Sequence, residues 1–184
     1  MGNRAVITTQ DKTIGLYLHW NGGRESIDGF LAYCKIMGYR PPEEDCYGWA
    51  CLAQTCRNFF SPEGLSVGID LYDRLDTDNK DNGVYIIKDW KVIGREFSYG
   101  PDYQTTPEYL TEVVTAISEA QPANYQLSKN GIAEAVRQYL AQYTEEEKAA
   151  LLIEGEICDD EDDNALPPAP EVKALPESTE SENS

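Results

Sequence analysis

The chain is short of histidine, of positive charge and of long apolar runs. It holds one histidine and two methionines, and only 15 lysines and arginines against 33 aspartates and glutamates. With a single imidazole, any Ser-His-Asp triad or histidine-rich metal centre has to be built on His19, which has no acidic neighbour in sequence. His19 therefore reads as a structural or edge residue. So few cations form no basic stripe to track a phosphate backbone, which argues against direct nucleic-acid binding. No stretch reaches the 18 or so apolar residues that span a bilayer, so no membrane association is expected. The start, Met1 to Val6, lacks the apolar core of a secretion signal, and Val6 stands where a myristoylation motif wants Ser or Thr. The cysteines number five, an odd count, and are expected as reduced thiols in a cytoplasm. Cys46, Cys51 and Cys56 lie five residues apart, which rotates successive thiols by about 140° around a helix. Zinc ligands instead come in pairs two to four residues apart. These three read as buried or half-buried thiols, and no cofactor is expected.

What the chain does have is enough apolar content, 41% of 184 residues, for one ordinary core. The net charge of −18 is unevenly spread. From Thr144 onward, 14 acidic residues face 2 basic ones, which leaves 19 against 13 in the first 143. The last part contains Cys158-Asp-Asp-Glu-Asp-Asp163, a proline cluster at 167–170 and a Ser/Glu-rich end. Such a segment buries too little apolar surface to offset its ordering entropy. The expected organisation is one α+β domain over 1–153 and a disordered acidic tail over 154–184. The tail serves solubility or attracts a basic partner surface.

Within the domain, Arg4–Thr8 and Ile14–His19 are short, β-branched or aromatic, and separated by a polar turn, a hairpin signal. Ile27, Phe30, Leu31 and Cys34 recur at helical spacing, and Gly38 ends that segment. A second helix after Pro41-Pro42 carries Trp49, Leu52, Ala53, Cys56, Phe59 and Phe60 on one face. Leu65–Leu71 alternates as a strand. Val84–Lys88, the turn Asp89-Trp90 and Lys91–Phe97 read as another hairpin. Pro107 suits a first helical turn ahead of Tyr109, Leu110, Val113, Val114 and Ile117. Ser128 precedes a helix with Ile132, Val136, Tyr139 and Leu140, and Thr144–Glu147 resembles a capping box for a last helix to about Ile153. This order predicts a mostly antiparallel sheet of about five strands with helices packed on one face.

Two stretches are candidates for chemistry. Asp76-Thr-Asp78-Asn-Lys-Asp81-Asn-Gly83 is rich in carboxylates. Counted as a calcium loop from Asp76, it puts Lys80 at position 5, Asp81 at position 6 and Ile87 at position 12, so it is not an EF-hand. It remains either a solvated turn or a weak divalent-cation site on Asp76, Asp78 and Asp81. The second stretch is His19-Trp20-Asn21-Gly22-Gly23-Arg24-Glu25-Ser26, where a strand meets a helix. Glycines let backbone approach a phosphate, the first helical N–H groups are unsatisfied, and Arg24 can add a bidentate contact. His19, Asn21, Gly22, Gly23, Arg24 and Ser26 thus form a candidate anion loop. The bland alternative is a turn in which Gly22 or Gly23 adopts a positive φ, Arg24 is exposed, and Ser26 sits in the first turn of a helix running to about Met37.

Gly22, Gly23 and Ser26 match the Ser-Gly-Gly-x-Asp-Ser loop of ATP pyrophosphatases, which the stretch resembles. Asn21 and Glu25 depart from that loop, and the βαβ units such a fold requires are missing. A wider pattern, "GNRAVIT", "LYLHWNGGRESIDGFL", "GYRPP" and "DTDNKDNGVYII…GREF", resembles a family of small uncharacterised proteins of phages, prophages and conjugative elements. The resemblance covers about the first 100 residues. It implies a cytoplasmic bacterial setting on a mobile element and carries over no catalytic residue. Two functions are open. One is a non-catalytic binding protein whose partner is a host or phage protein, such as an inhibitor of a host defence or nucleic-acid-processing protein. The twelve tyrosines suit such an interaction surface. The other is a nucleotide- or phosphate-binding protein using the Asn21–Ser26 loop.

Overall fold

The computed structural model describes residues 3–60, 66–99 and 106–146. The acidic tail and most of the expected last helix, from residue 147, lie outside them. The fold is α+β. Strands β1 (Ala5–Thr9) and β2 (Ile14–Leu18) form the expected hairpin. Helices α1 (Arg24–Ile36) and α2 (Cys46–Phe59) follow, then β3 (Val67–Leu71), β4 (Val84–Lys88), β5 (Lys91–Glu96), α3 (Pro107–Glu119) and α4 (Lys129–Leu140). The five strands make one sheet in the order β3-β2-β1-β4-β5. Three pairings are antiparallel and the fourth, β1 with β4, is parallel.

Local chemistry accounts for the element boundaries. The Asp45 side chain accepts hydrogen bonds from the Tyr47 and Gly48 amides and starts α2. Thr106 does the same for the Tyr109 amide ahead of Pro107, which occupies the first turn of α3. Ser128 stands at the N-cap position of α4 but makes no capping bond with its side chain. The β4–β5 turn places Asp89 at φ 48° and Trp90 at φ 62°, the double positive φ of a type I′ hairpin, here without glycine. Trp90 is held in that conformation by burial and by donating its Nε1–H to the Tyr39 carbonyl.

The alternation of strand residues divides the sheet into two faces. Ala5 and Ile7 of β1, Leu16 and Leu18 of β2, and Tyr85 and Ile87 of β4 point to the helix side and join the main core. Eight consecutive residues of α1, Ile27 to Cys34, are buried, so this helix is enclosed on every side. α4 is tied down at its far end. Tyr139 donates to the Trp90 carbonyl, and the Tyr143 hydroxyl accepts from the Val92 amide.

On the second face Val6, Thr8 and Val84 are also fully buried, and among the described residues no helix accounts for it. The cover is the connection from β3 to β4. β3 is an edge strand, and its chain must cross β2 and β1 to reach β4. The connection carries a single 3-10 turn, Tyr72–Arg74, and then the acidic stretch 76–83. Leu75 lies against Gly15, where a Cβ would come within 2.7 Å of the leucine Cδ1. The stretch expected as a free turn therefore closes one side of the core.

Gly83 marks the point where this cover re-enters the sheet. Its φ is +61°, and an added Cβ would fall 2.2 Å from the carbonyl oxygens of both Glu96 and Phe97. Backbone cannot yield as a side-chain tip can. Gly83→Ala is expected to destabilise the fold by roughly 2–4 kcal/mol, combining the left-handed conformation with the overlap. Chemical denaturation of the two proteins checks it, with a change below about 1 kcal/mol contradicting the close approach.

Candidate functional site

The topology brings both candidate stretches to one end of the sheet. β2 and β5 finish there, and β1 and β4 begin there. Asn3 and Arg4, just ahead of β1, join the two. The Gly22 amide donates to the Asn3 carbonyl at 2.8 Å, and the Asn82 amide donates to the Arg4 carbonyl at 3.1 Å. Asn82 Nδ2 reaches the Asn3 side-chain oxygen at 2.6 Å, and the Arg4 Nε–H donates to Asp81 Oδ2 at 2.7 Å. The Tyr85 hydroxyl, from β4, donates to the Gly22 carbonyl at 2.9 Å.

In the 19–26 stretch the positive φ falls on Asn21, at 54°, and not on Gly22 or Gly23, which corrects the expectation for those glycines. Asn is the side chain that tolerates this region best, so the turn spends its non-glycine residue there. Gly22 is required for a different reason. A Cβ on it would come within 2.7 Å of both the Ala5 Cβ and the Arg4 carbonyl carbon. Gly23 is the N-cap of α1, with φ −62°, and offers no side-chain cap. Ser26 lies in the first helical turn as expected. His19 is exposed just past β2, with its amide donating to the Ser66 carbonyl and its ring edge-on to Trp20 at 5.0 Å.

Arg24 is also not where it was expected. Its side chain is only 11% exposed and turns back along α1 to Asp28, itself 5% exposed, with Nε to Oδ2 at 2.9 Å. The Asp28 carboxylate lies one turn along the helix, within reach of an i,i+4 contact, so the guanidinium is engaged there and not held out at the loop. The Tyr139 and Tyr143 hydroxyls meet at 3.2 Å, and the pair's charges act on both phenols. Burial pushes the Tyr143 hydroxyl up to about 12 and the Tyr139 hydroxyl up as well, so both stay protonated donors.

The 76–83 stretch is organised by a residue that the sequence reading passed over. Asn79 is 2% exposed and uses both ends of its amide. Its oxygen accepts from the Asp81 and Gly83 amides, each at 3.1 Å, and its nitrogen donates to the Asp76 and Gly83 carbonyls. Two of the three aspartates share Arg4 and the third meets other groups. Asp81 bonds Arg4; Asp76 lies 3.6 Å from Arg4; Asp78 accepts from Lys80 and from the Tyr99 hydroxyl. Among the described residues no group of three His, Cys, Asp or Glu side chains is placed to hold a metal ion. Burial pushes the Asp81 carboxyl up, but the hydrogen bonds and charge of Arg4 together outweigh it and hold the group below the usual aspartate value.

Around this end stand three large exposed aromatics, Trp20 at 45%, Phe97 at 49% and Tyr99 at 46%. The opposite end of the sheet holds an open cleft of about 340 Å³ between the β1–β2 turn and the Pro42–Trp49 segment. Its Asp11 and Glu43 carboxylates are taken up by Thr9, Thr13 and the Asp89 amide. Of the cysteines, Cys34 and Cys56 are buried and Cys51 is half-buried, whereas Cys46 at the start of α2 is exposed, against expectation. Among the described residues no helix is long and apolar enough to cross a membrane. No protein-family model, curated protein or solved structure matches the chain.

Two outcomes test this geometry. Arg24→Ala removes the cation beside the buried Asp28 carboxylate and is expected to cost about 2–3 kcal/mol, somewhat under the roughly 3–5 kcal/mol of a fully buried pair. Asp81 has a lowered folded pKa, so its stabilising effect is present above the unfolded aspartate value and is lost as pH falls through the folded one. The stability gap between the wild type and Asp81→Asn is therefore expected at neutral pH and should close in acid. A gap independent of pH would assign the loss to something other than the Arg4 pair.

Proposed function

We propose that the chain is a non-catalytic binding protein of a phage or other mobile element. It acts in the cytoplasm and holds a host or phage protein, such as a host defence or nucleic-acid-processing protein, against the end of the sheet described above. The observation that carries this reading is the exposure of Trp20, Phe97 and Tyr99 on a rigid base. Aromatic side chains of this kind anchor protein interfaces because they bury much area at little entropic cost. The base is rigid because Asn3, Arg4, Asn79 and Asp81 tie its strands and loops by hydrogen bonds. The charged groups nearby are engaged with one another, which suits a recognition surface better than a reacting centre. The free thiols of Cys34, Cys46, Cys51 and Cys56 support a reducing compartment.

The phosphate-binding reading keeps one observation in its favour, the absence of a side-chain cap on α1 at Gly23. Against it stands Arg24, committed to Asp28. One experiment separates the two. The full chain and the Trp20→Ala/Phe97→Ala variant are used as bait in bacterial host lysate, and both are titrated with inorganic phosphate and ATP. The expected result is a stoichiometric protein retained by the wild type and lost by the variant, with unchanged melting curves and no phosphate affinity. Equal retention by both would remove this surface from the function. Saturable phosphate or ATP binding would favour the loop.

A further inference from the structure

We propose that β3 is the pairing edge for a second copy of the chain, in an antiparallel register centred on Ile69, and that Asp70 gates this pairing. Across β2 and β3, the Ser66 carbonyl accepts from the His19 amide and the Tyr72 amide donates to the Thr13 carbonyl. The period of two then turns residues 66, 68, 70 and 72 toward β2 and turns the backbone groups of Val67, Ile69 and Leu71 outward. No described strand lies on that outer side. The strand carries none of the lysine, proline or bulge that commonly blunts an edge. Its apolar residues stand half in solvent, Ile69 at 50% and Leu71 at 46%.

The sequence Val67-Gly-Ile-Asp-Leu71 selects both the occupant and the register. A two-fold axis at Ile69 sets Ile69 against its copy, Val67 against Leu71, and Asp70 against Gly68. Every apolar residue then meets an apolar one, and the carboxylate faces the one residue without a side chain, where the space is open. Centring on Asp70 would oppose two carboxylates, and centring on Gly68, Val67 or Leu71 would leave an apolar residue without a partner inside Val67–Leu71. The register needs the Leu71 amide, which the Asp70 carboxylate now occupies at 2.7 Å. Asp70 thus protects the monomer until a second strand displaces it. Because each copy is strongly acidic, the pairing is opposed by charge and strengthens with salt.

The test is sedimentation of the full chain over a wide concentration range, with amide exchange read in parallel. The expected result is a weak monomer–dimer equilibrium that tightens on adding salt. Asp70→Ala should tighten it about tenfold and Ile69→Lys abolish it, with native circular dichroism in both. The Val67 and Ile69 amides should gain protection as the concentration rises. A chain that stays monomeric in wild type and Asp70→Ala alike overturns the proposal. So does a dimer indifferent to Ile69→Lys, or one whose Val67 and Ile69 amides stay unprotected.

Discussion

The parallel pairing of β1 with β4 is the constraint on which the rest of the structure depends. Every other strand pair is antiparallel and joins neighbours by short turns or by the α1–α2 excursion. A parallel partner for β1 can be reached only by a crossover. Here the crossover starts at the far edge, β3, and returns over the face that the helices leave open. It carries almost no helix, so its backbone polar groups need other partners. Asn79 supplies several of them from a single amide, and Gly83 lets the chain drop into the sheet beside Glu96 and Phe97. The acidic stretch that looks like a surface loop in sequence is thus a structural cover, and its carboxylates are spent on holding it in place.

That cover also builds the candidate site. Asn3 and Arg4 lead into the strand with the parallel partner, so they lie between the crossover and the turn before α1. Their carbonyls accept from Asn82 and Gly22, which fixes both segments to one strand end. The Arg4–Asp81 pair adds direction to this junction at 2.7 Å. Exposed ion pairs contribute little to stability, and this one is partly shielded on the aspartate side. Its role is to set the position of the loop more than to supply energy. The exposed aromatics that follow β2 and β5 inherit that fixed geometry.

Much of the fold was legible locally. Helix stripes such as Leu110, Val114 and Ile117 and the two hairpins follow from period and turn chemistry alone, although Tyr109, read into the same stripe, is exposed. The parallel contact was not, because Val6 and Val84 are distant in sequence and both hairpins read the same whether their central strands run parallel or not. The site was legible only in part. Asn21–Gly23 was correctly placed as the strand-to-helix turn, and Ser26 in a first turn. The direction of Arg24 depended on Asp28 being buried beneath α4, and Arg4 meets Asp81 across 77 residues of chain. The importance of Asn79 had no signal either, since Asn is common in ordinary turns for the same hydrogen-bonding ability. Sequence period finds what a residue packs against within its own element. It is silent on which polar side chain is enclosed by a distant one.

Arg24 shows how this bears on function. A strand, a glycine pair, an arginine and a helix start form a recipe for holding an anion, yet each part here has a structural use. Gly22 makes room for β1, Asn21 takes the positive φ, and Arg24 neutralises an interior carboxylate. An arginine already paired with a buried aspartate must give up that contact before it can grip a phosphate, and the loss offsets part of the binding gained. Of the exposed aromatics, Tyr99 is bonded to Asp78 and Lys80 through its hydroxyl, whereas Trp20 and Phe97 hold no interior charge in place. Trp20 and Phe97 leave about half their surface in water, and covering them with a partner releases that water with no internal pair to break. These energetics are the ground on which the proposed function puts an apolar protein surface, ahead of a charged small molecule, at this end of the sheet.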